Sequence, residues 1–177
     1  MTPPTTFQIC ERWDGCKMLM EQDWERFPSR KSPRLKEFNY ASPNYYFVTI
    51  CTKGKECIFG TPKQLSPMGE VASDCLKAIE SHFTGVCLDK WVVMPNHIHA
   101  IVVLSGTAVQ LPAVVGQYKS ATTRKIRIFA PGKIVWQASF HDHVIRNQAD
   151  YERIWTYIEG NPGRWEDDCF YKAPAEQ

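Results

Sequence analysis

Two β-branched segments separated by only two residues constrain the fold of this chain more than any other feature. Residues 86–94 and 97–104 are rich in valine or isoleucine, and only Pro95-Asn96 lies between them. β-Branched residues favour strands, and so short a connection returns the second strand alongside the first. The sequence therefore predicts an antiparallel hairpin, with His97 at the start of its second strand.

The hydrophobic pattern on either side of the hairpin predicts a complete α+β domain. The expected order is strand, helix, strand, strand, helix, strand and a final helix, over residues 45–51, 67–83, 86–94, 97–104, 111–128, 134–145 and 149–160. This order is typical of the ferredoxin-like split βαβ fold, an antiparallel sheet with helices on one face. The last helix is an addition, and Pro162 is expected to stop it and to move Asn161 out of helical geometry.

The chain is long enough for one domain with an extension. We expect an N-terminal arm over 1–40, which is rich in proline, serine and charge, a catalytic domain over 41–170, and a short tail over 171–177. No apolar run approaches the roughly 20 residues of a membrane span, so no membrane partner is expected. The seven cysteines form no C-x-x-C pair, which indicates a reduced, cytoplasmic protein without a disulfide framework or zinc knuckle.

Basic residues are concentrated in two stretches that contain no carboxylate. The alternatives are one phosphate-binding face or an ordinary solvated helix face and arm, and composition alone leaves both open. The stretches contain Arg26, Arg30, Lys31, Arg34 and Lys36, and then Lys119, Arg124, Lys125, Arg127 and Lys133.

His97 and His99 are two residues apart on a predicted strand, so both imidazoles leave the same face. Two histidines are too few for a closed structural zinc site, but they suit an open metal site that needs a further ligand. Histidines on a strand are also often plain surface residues. The second H-x-H, His141 and His143, has an acid at its centre, and we expect it to orient DNA or a proton rather than to bind metal.

Two tyrosines are candidate nucleophiles. Tyr157 lies four residues before Asn161 on the last helix, so both share a face, and the Asn161 carbonyl oxygen is a candidate third metal ligand. Tyr118 lies in the basic helix, closer in sequence to the histidines. The residues alone do not choose between them, nor do they decide whether Trp136, Trp155 and Trp165 stack on bases or fill the core.

Five ordered segments together resemble the REP-associated tyrosine transposases, which belong to the one-tyrosine branch of the HUH nucleases. The resemblance runs from about residue 30 to 165. It is carried by residues 46–52 (YFVTICT), 56–60 (ECIFG), 92–99 (VVMPNHIH), 136–146 (WQASFHDHVIR) and 157–162 (YIEGNP).

The resemblance implies a reaction and a set of roles. His97 and His99 would hold Mg²⁺ or Mn²⁺, and Tyr157 would attack a DNA phosphate to leave a 5′-phosphotyrosine and a free 3′-OH. Insertion-sequence relatives carry glutamine where this chain has Asn161. Relatives cleave single strands beside REP hairpins. The candidate DNA contacts are Lys119, Arg124, Lys125 and Arg127 for the hairpin, Arg30, Lys31 and Arg34 for the flanking bases, and His143 and Arg146 nearby.

Several alternatives stay open at this point. The protein is expected in the cytoplasm, associated with the nucleoid, as a monomer or a homodimer. The main rival to a nuclease and strand transferase is a domesticated relative that binds REP hairpins without cutting them. An RNA-binding ferredoxin-like domain is a weaker alternative, because the glycine-aromatic strand signature of that class is absent.

Overall fold

The computed structural model describes residues 39–106 and 109–171, so Arg30, Lys31 and Arg34 lie outside the described part of the chain. Its elements follow the predicted order. They are β1 (Asn44–Cys51), α1 (Pro67–Lys77), α2 (Ile79–His82), β2 (Val86–Val93), β3 (His97–Leu104), α3 (Leu111–Ile126), β4 (His141–Ile145) and α4 (Gln148–Gly160), with 3₁₀ helices at Lys53–Lys55 and Asn161–Asp167.

The four strands form one antiparallel sheet in the order β2-β3-β1-β4. This is the strand order of the ferredoxin-like fold, so the predicted fold class is confirmed, including the β2–β3 hairpin. The register places Cys51 beside His97 and Thr49 beside His99. The end of β1 therefore borders the start of β3, where the paired histidines lie.

The sheet has a different helical partner on each face. Ile98, Ala100 and Val102 are every second residue of β3, so they share the face that packs against α1 and α3, and they belong to the larger core. Ile101 belongs to a second cluster with Ile154 and Ile158 of α4. Because side chains alternate along a strand, His97 and His99 share the Ile101 face, which α4 covers. Full burial of each isoleucine stabilises the fold by roughly 1.5–3 kcal/mol.

The segment before β4 is less regular than the sequence predicts. The expected strand over 134–145 is correct only for its last part, since β4 begins at His141. Trp136 makes a single bridge to Thr52. The carbonyl oxygens of Gln137, Ala138 and Ser139 then accept hydrogen bonds from the Lys119 ammonium. The Lys119 side chain thus provides the hydrogen bonds that these carbonyl groups would otherwise receive from a neighbouring strand.

Helix α4 is held in place at its start, and its end differs from the prediction. Asn147 caps it by accepting a hydrogen bond from the Asp150 amide at 2.8 Å. The helix ends at Gly160 as expected, but Asn161 keeps helical angles, with φ −58° and ψ −44°. The chain continues directly as a 3₁₀ helix with Pro162 in its first turn, a position where proline is tolerated. Asn161 thus stays on the Tyr157 side of α4.

Within the described residues, none of the helices combines the length and the apolar character that crossing a membrane requires.

Candidate metal and nucleophile site

Strand β3 places its two histidines side by side in a buried position. His97 and His99 are 0% and 1% exposed, and their Nε2 atoms lie 2.9 Å apart. The two nitrogens lie within hydrogen-bond distance of each other, so both ring edges meet at one point in the site. A divalent ion held by both rings would take the place of that hydrogen bond.

The hydrogen bonds behind the rings leave the Nε2 atom of His97 free to act as a ligand. Its Nδ1 lies 2.8 Å from Asn96 Oδ1. The Asn96 amide nitrogen already donates to the carbonyl oxygens of Phe170 and Lys55, so Oδ1 is the accepting atom. His97 Nδ1 must therefore donate, which places the lone pair on Nε2. His99 Nδ1 is held by Thr49 Oγ1 at 2.9 Å.

Burial keeps both imidazoles neutral. It lowers the pKa of His97 to about 3, and the positive charge of Lys55 acts in the same direction. Burial also lowers the pKa of His99 well below its usual value, with a further contribution from His97. A metal ligand must be deprotonated, so both rings are ready to bind an ion at neutral pH.

A third group, which the sequence did not indicate, is the carboxylate of Asp168. Its side chain is 1% exposed, and Oδ2 lies 3.9 Å from His97 Nε2. Ligand atoms of His97, His99 and Asp168 all lie within 4.8 Å of one another. Chemistry alone could have indicated such a group: Mg²⁺ and Mn²⁺ prefer oxygen ligands, so a site with two imidazoles is expected to include a carboxylate. The sequence pattern does not identify which carboxylate, because Asp168 lies beyond α4 and a 3₁₀ helix, where no helical or strand periodicity relates it to the histidines.

Tyr157 directs its hydroxyl at this group. The oxygen lies 3.2 Å from His99 Nε2 and 3.3 Å from Asp168 Oδ2. The ring packs against His99, with centroids 5.2 Å apart, and edge-on to Phe47. Burial raises the pKa of Tyr157 well above its usual value, and the neighbouring Asp168 charge raises it further. The phenol is therefore neutral and needs a proton acceptor to become a nucleophile.

Asn161 completes the site and is 3% exposed. Its Nδ2 donates to Asp168 Oδ2 at 2.8 Å. Its Oδ1 is buried and has no hydrogen-bond partner among the described residues. An unpaired buried acceptor is costly, by about 1–3 kcal/mol. This orphaned oxygen, beside two neutral imidazoles and a carboxylate, fits a cation site. The assignment of Asn161 as a ligand itself stays a prediction.

The alternative candidates for the nucleophile and for the second histidine pair lie outside this site. Tyr118 is a core residue of α3, 2% exposed, and its hydroxyl donates to the carbonyl oxygen of Ala72 in α1. His141 is exposed, and His143 pairs with Asp150 at 2.7 Å. None of these belongs to the cluster around His97.

The predicted DNA-binding residues divide into two groups. Arg124, Lys125, Arg127 and Arg146 are exposed. The Lys119 ammonium is instead engaged with three carbonyl oxygens, and the His143 imidazole with a carboxylate. The tryptophans also differ: Trp136 is a core residue, Trp155 is 37% exposed, and the Trp165 ring lies 6.0 Å from that of His97.

Comparison with known proteins identifies the family. The sequence matches the family described as "Transposase IS200 like" over residues 40–161, which is more than half of the chain and includes all four strands and α4. The chain belongs to this transposase family. An uncharacterised protein of Haemophilus influenzae (strain ATCC 51907 / DSM 11121 / KW20 / Rd) is 34% identical to this IS200-like transposase over 167 residues, which cover 80% of this chain and 93% of that protein.

Two solved structures share the fold of this IS200-like transposase. One is a REP-associated tyrosine transposase bound to a REP hairpin, with a TM-score of 0.59, 21% identity and 76% of each chain covered. The other is a putative transposase from Deinococcus radiodurans, with a TM-score of 0.50 and 21% identity, covering 72% of this chain and 97% of that chain. At this level of identity the likeness concerns the fold.

Proposed function

We propose that this IS200-like transposase cuts and rejoins single-stranded DNA beside REP-type hairpins, with Tyr157 as the covalent nucleophile. The observation that carries the proposal is the position of the Tyr157 hydroxyl, 3.2 Å from a ligand atom of the paired histidines. The hairpin substrate is suggested by the structural neighbour that is bound to a REP hairpin.

The residues that would hold a divalent ion are His97, His99 and Asp168, with the orphaned Asn161 oxygen as a further ligand. When bound, such an ion supplies a positive charge that draws electron density from the scissile phosphate. Two nitrogen ligands favour Mn²⁺, whereas carboxylate and amide oxygens also suit Mg²⁺. We expect Mn²⁺ to support activity at least as well as Mg²⁺.

The site orients the attacking hydroxyl, because the Tyr157 hydroxyl donates to Asp168 Oδ2 at 3.3 Å. The same carboxylate oxygen would help to hold the ion, so the Tyr157 proton leaves to solvent water. The phenolic oxygen then forms a bond to phosphorus, and the bond from phosphorus to the 3′ oxygen breaks. That 3′ oxygen takes up a proton from water and becomes a free 3′-OH, while the phosphate stays on Tyr157. The reverse attack by another 3′-OH rejoins strands, because the phosphotyrosine link is a diester like the one that was broken.

The test is the covalent adduct. The protein is incubated with labelled single-stranded hairpin DNA and Mn²⁺ and resolved on a denaturing gel. The adduct should form with the unmodified chain and vanish with chelator or with Tyr157→Phe. It should persist with Tyr118→Phe and with Tyr151→Phe, a matched control on α4 whose hydroxyl bonds Asp89 instead of the site.

Two outcomes would contradict the proposal. If the adduct were lost with Tyr118→Phe and kept with Tyr157→Phe, Tyr157 would not be the nucleophile. Tight hairpin binding with no adduct under any metal would favour the alternative of a regulatory protein that no longer cuts DNA.

A further inference from the structure

The exposed side of α3 forms a basic surface pocket that the nucleophile site does not use. The pocket has a volume of about 430 Å³, which lies within the usual range for a small-ligand site. Arg124 and Arg127 are exposed and have no ion-pair partner among the residues that the structure describes. The pocket is lined by Lys119, Ser120, Thr123, Arg124, Arg127 and Trp136.

This pocket and the histidine pair border the same end of the sheet. Trp136, in the pocket wall, bridges Thr52 just after β1, and the next amide, of Gln137, donates to the Cys51 carbonyl oxygen. Cys51 in turn lies opposite His97 in the β1–β3 register. A strand that leaves the pocket around this end of the sheet thus has a short path to the face that carries Tyr157.

An apolar tip adjoins the pocket where the chain leaves α3. It consists of Ile128, Phe129 and Ile134, which are 80%, 50% and 60% exposed. The tip is held in turns, since the amides of Ile128 and Phe129 donate to the carbonyl oxygens of Lys125 and Ile126. Among the described residues only Trp155, at 37%, is a further exposed large apolar side chain, so these three stand out as a group, which suggests that a ligand covers them.

The charges around the tip favour a nucleic acid over a second copy of the chain. Arg124, Lys125 and Arg127 come directly before it, and no carboxylate occurs between residues 111 and 141. In a two-fold dimer the same patch meets itself, so these cations would face cations. A single DNA strand instead offers phosphates to the arginines and base faces to the apolar side chains.

We propose that the α3 pocket and the apolar tip bind the single-stranded DNA that flanks the hairpin and lead it toward Tyr157. Arg124 and Arg127 contact successive phosphates, and Phe129 stacks on a base. This inference rests on the proposed function, and it adds a DNA-binding site on the opposite face of the sheet from α4.

The experiment measures binding separately from cleavage. The full-length Tyr157→Phe protein is titrated into fluorescein-labelled oligo(dT), and into a blunt hairpin without a single-stranded tail, at several salt concentrations. The test variants are Arg124→Gln with Arg127→Gln, and Phe129→Ser. The matched control removes the same charge from exposed lysines outside the pocket, as Lys63→Gln with Lys77→Gln. Circular dichroism verifies that each variant is folded.

Each result has a definite meaning. Loss of two phosphate contacts should lower the slope of log affinity against log salt by about 1.4, at about 0.7 per contact on single strands. Phe129→Ser should weaken oligo(dT) binding by at least about five-fold while leaving that slope unchanged. The control should bind like its parent. Weakening of the blunt hairpin to the same extent as oligo(dT), or no weakening of either, would overturn the inference.

The covalent adduct separates this inference from the proposed function. If the chain with native Tyr157 forms the adduct and the arginine variant still binds oligo(dT) normally, only the α3 site is wrong. If no DNA binds and no adduct forms with native Tyr157, both proposals are wrong.

Discussion

Burial of His97 makes the stability of the metal-free protein depend on pH in a predictable direction. The pKa of this imidazole is about 3 in the folded chain, against 6.5 for an unperturbed histidine. Between these values the unfolded chain binds a proton that the folded chain does not bind. The free energy of unfolding therefore falls as the pH falls below 6.5.

The magnitude follows from the two pKa values. At pH 5 an unfolded histidine is almost fully protonated, and the difference from pH 8 amounts to about 2 kcal/mol for His97 alone. His99 acts in the same direction, because its pKa is also lowered. A loss of this size is a large fraction of the 5–15 kcal/mol that is typical of folded domains.

The assay is urea unfolding followed by tryptophan fluorescence at pH 8, 7, 6 and 5 in the presence of chelator. His97→Gln should reduce the pH-dependent part of the stability by about 2 kcal/mol, whatever its effect at pH 8. His82→Gln, at an exposed position of α2, should keep the original pH dependence. A stability that is flat between pH 8 and 5, or a His97→Gln variant with the full dependence, would refute the assignment of the buried neutral imidazole.

Two further predictions concern side chains that sequence reasoning missed or assigned differently. Asp168→Asn should weaken Mn²⁺ binding at least ten-fold, because it removes the one negative ligand of the cluster. Isothermal titration calorimetry measures this affinity, and an unchanged value would exclude Asp168 as a ligand. Lys119→Met should lower the free energy of unfolding by about 1–3 kcal/mol in urea, because one half-buried and two exposed hydrogen bonds to carbonyl oxygens are lost. An effect on DNA binding alone, with unchanged stability, would restore the predicted role of Lys119 as a phosphate contact.

The local patterns of the sequence were sufficient for the fold and for the common face of the histidines. Strand alternation places His97 and His99 together, and helical spacing keeps Asn161 beneath Tyr157. These relations extend over a few residues and depend only on backbone geometry. The order of the elements then limits the sheet to few arrangements.

The parts that could not be predicted depend on contacts between distant segments. Asp168 directly follows the 3₁₀ helix Asn161–Asp167, and its position depends on the packing of Trp165 and Phe170 against the His97 ring. Residues 134–140 look like a strand, but Lys119 satisfies three of their carbonyl groups from α3. Neither arrangement has a local signature, because the partner residues are far apart in the chain.

The short connection between β2 and β3, residues 94–96, has a consequence for how this site can change. Asn96 donates to the carbonyl oxygen of Phe170 and accepts from His97, while its own carbonyl oxygen accepts from Thr52. One side chain therefore sets the orientation of an imidazole and the position of the segment that carries Asp168. Insertions are usually tolerated at exposed turns, but at this turn they would shift an imidazole and a carboxylate together. We expect natural variants of this chain to vary in length at other loops and to keep this connection at its present length.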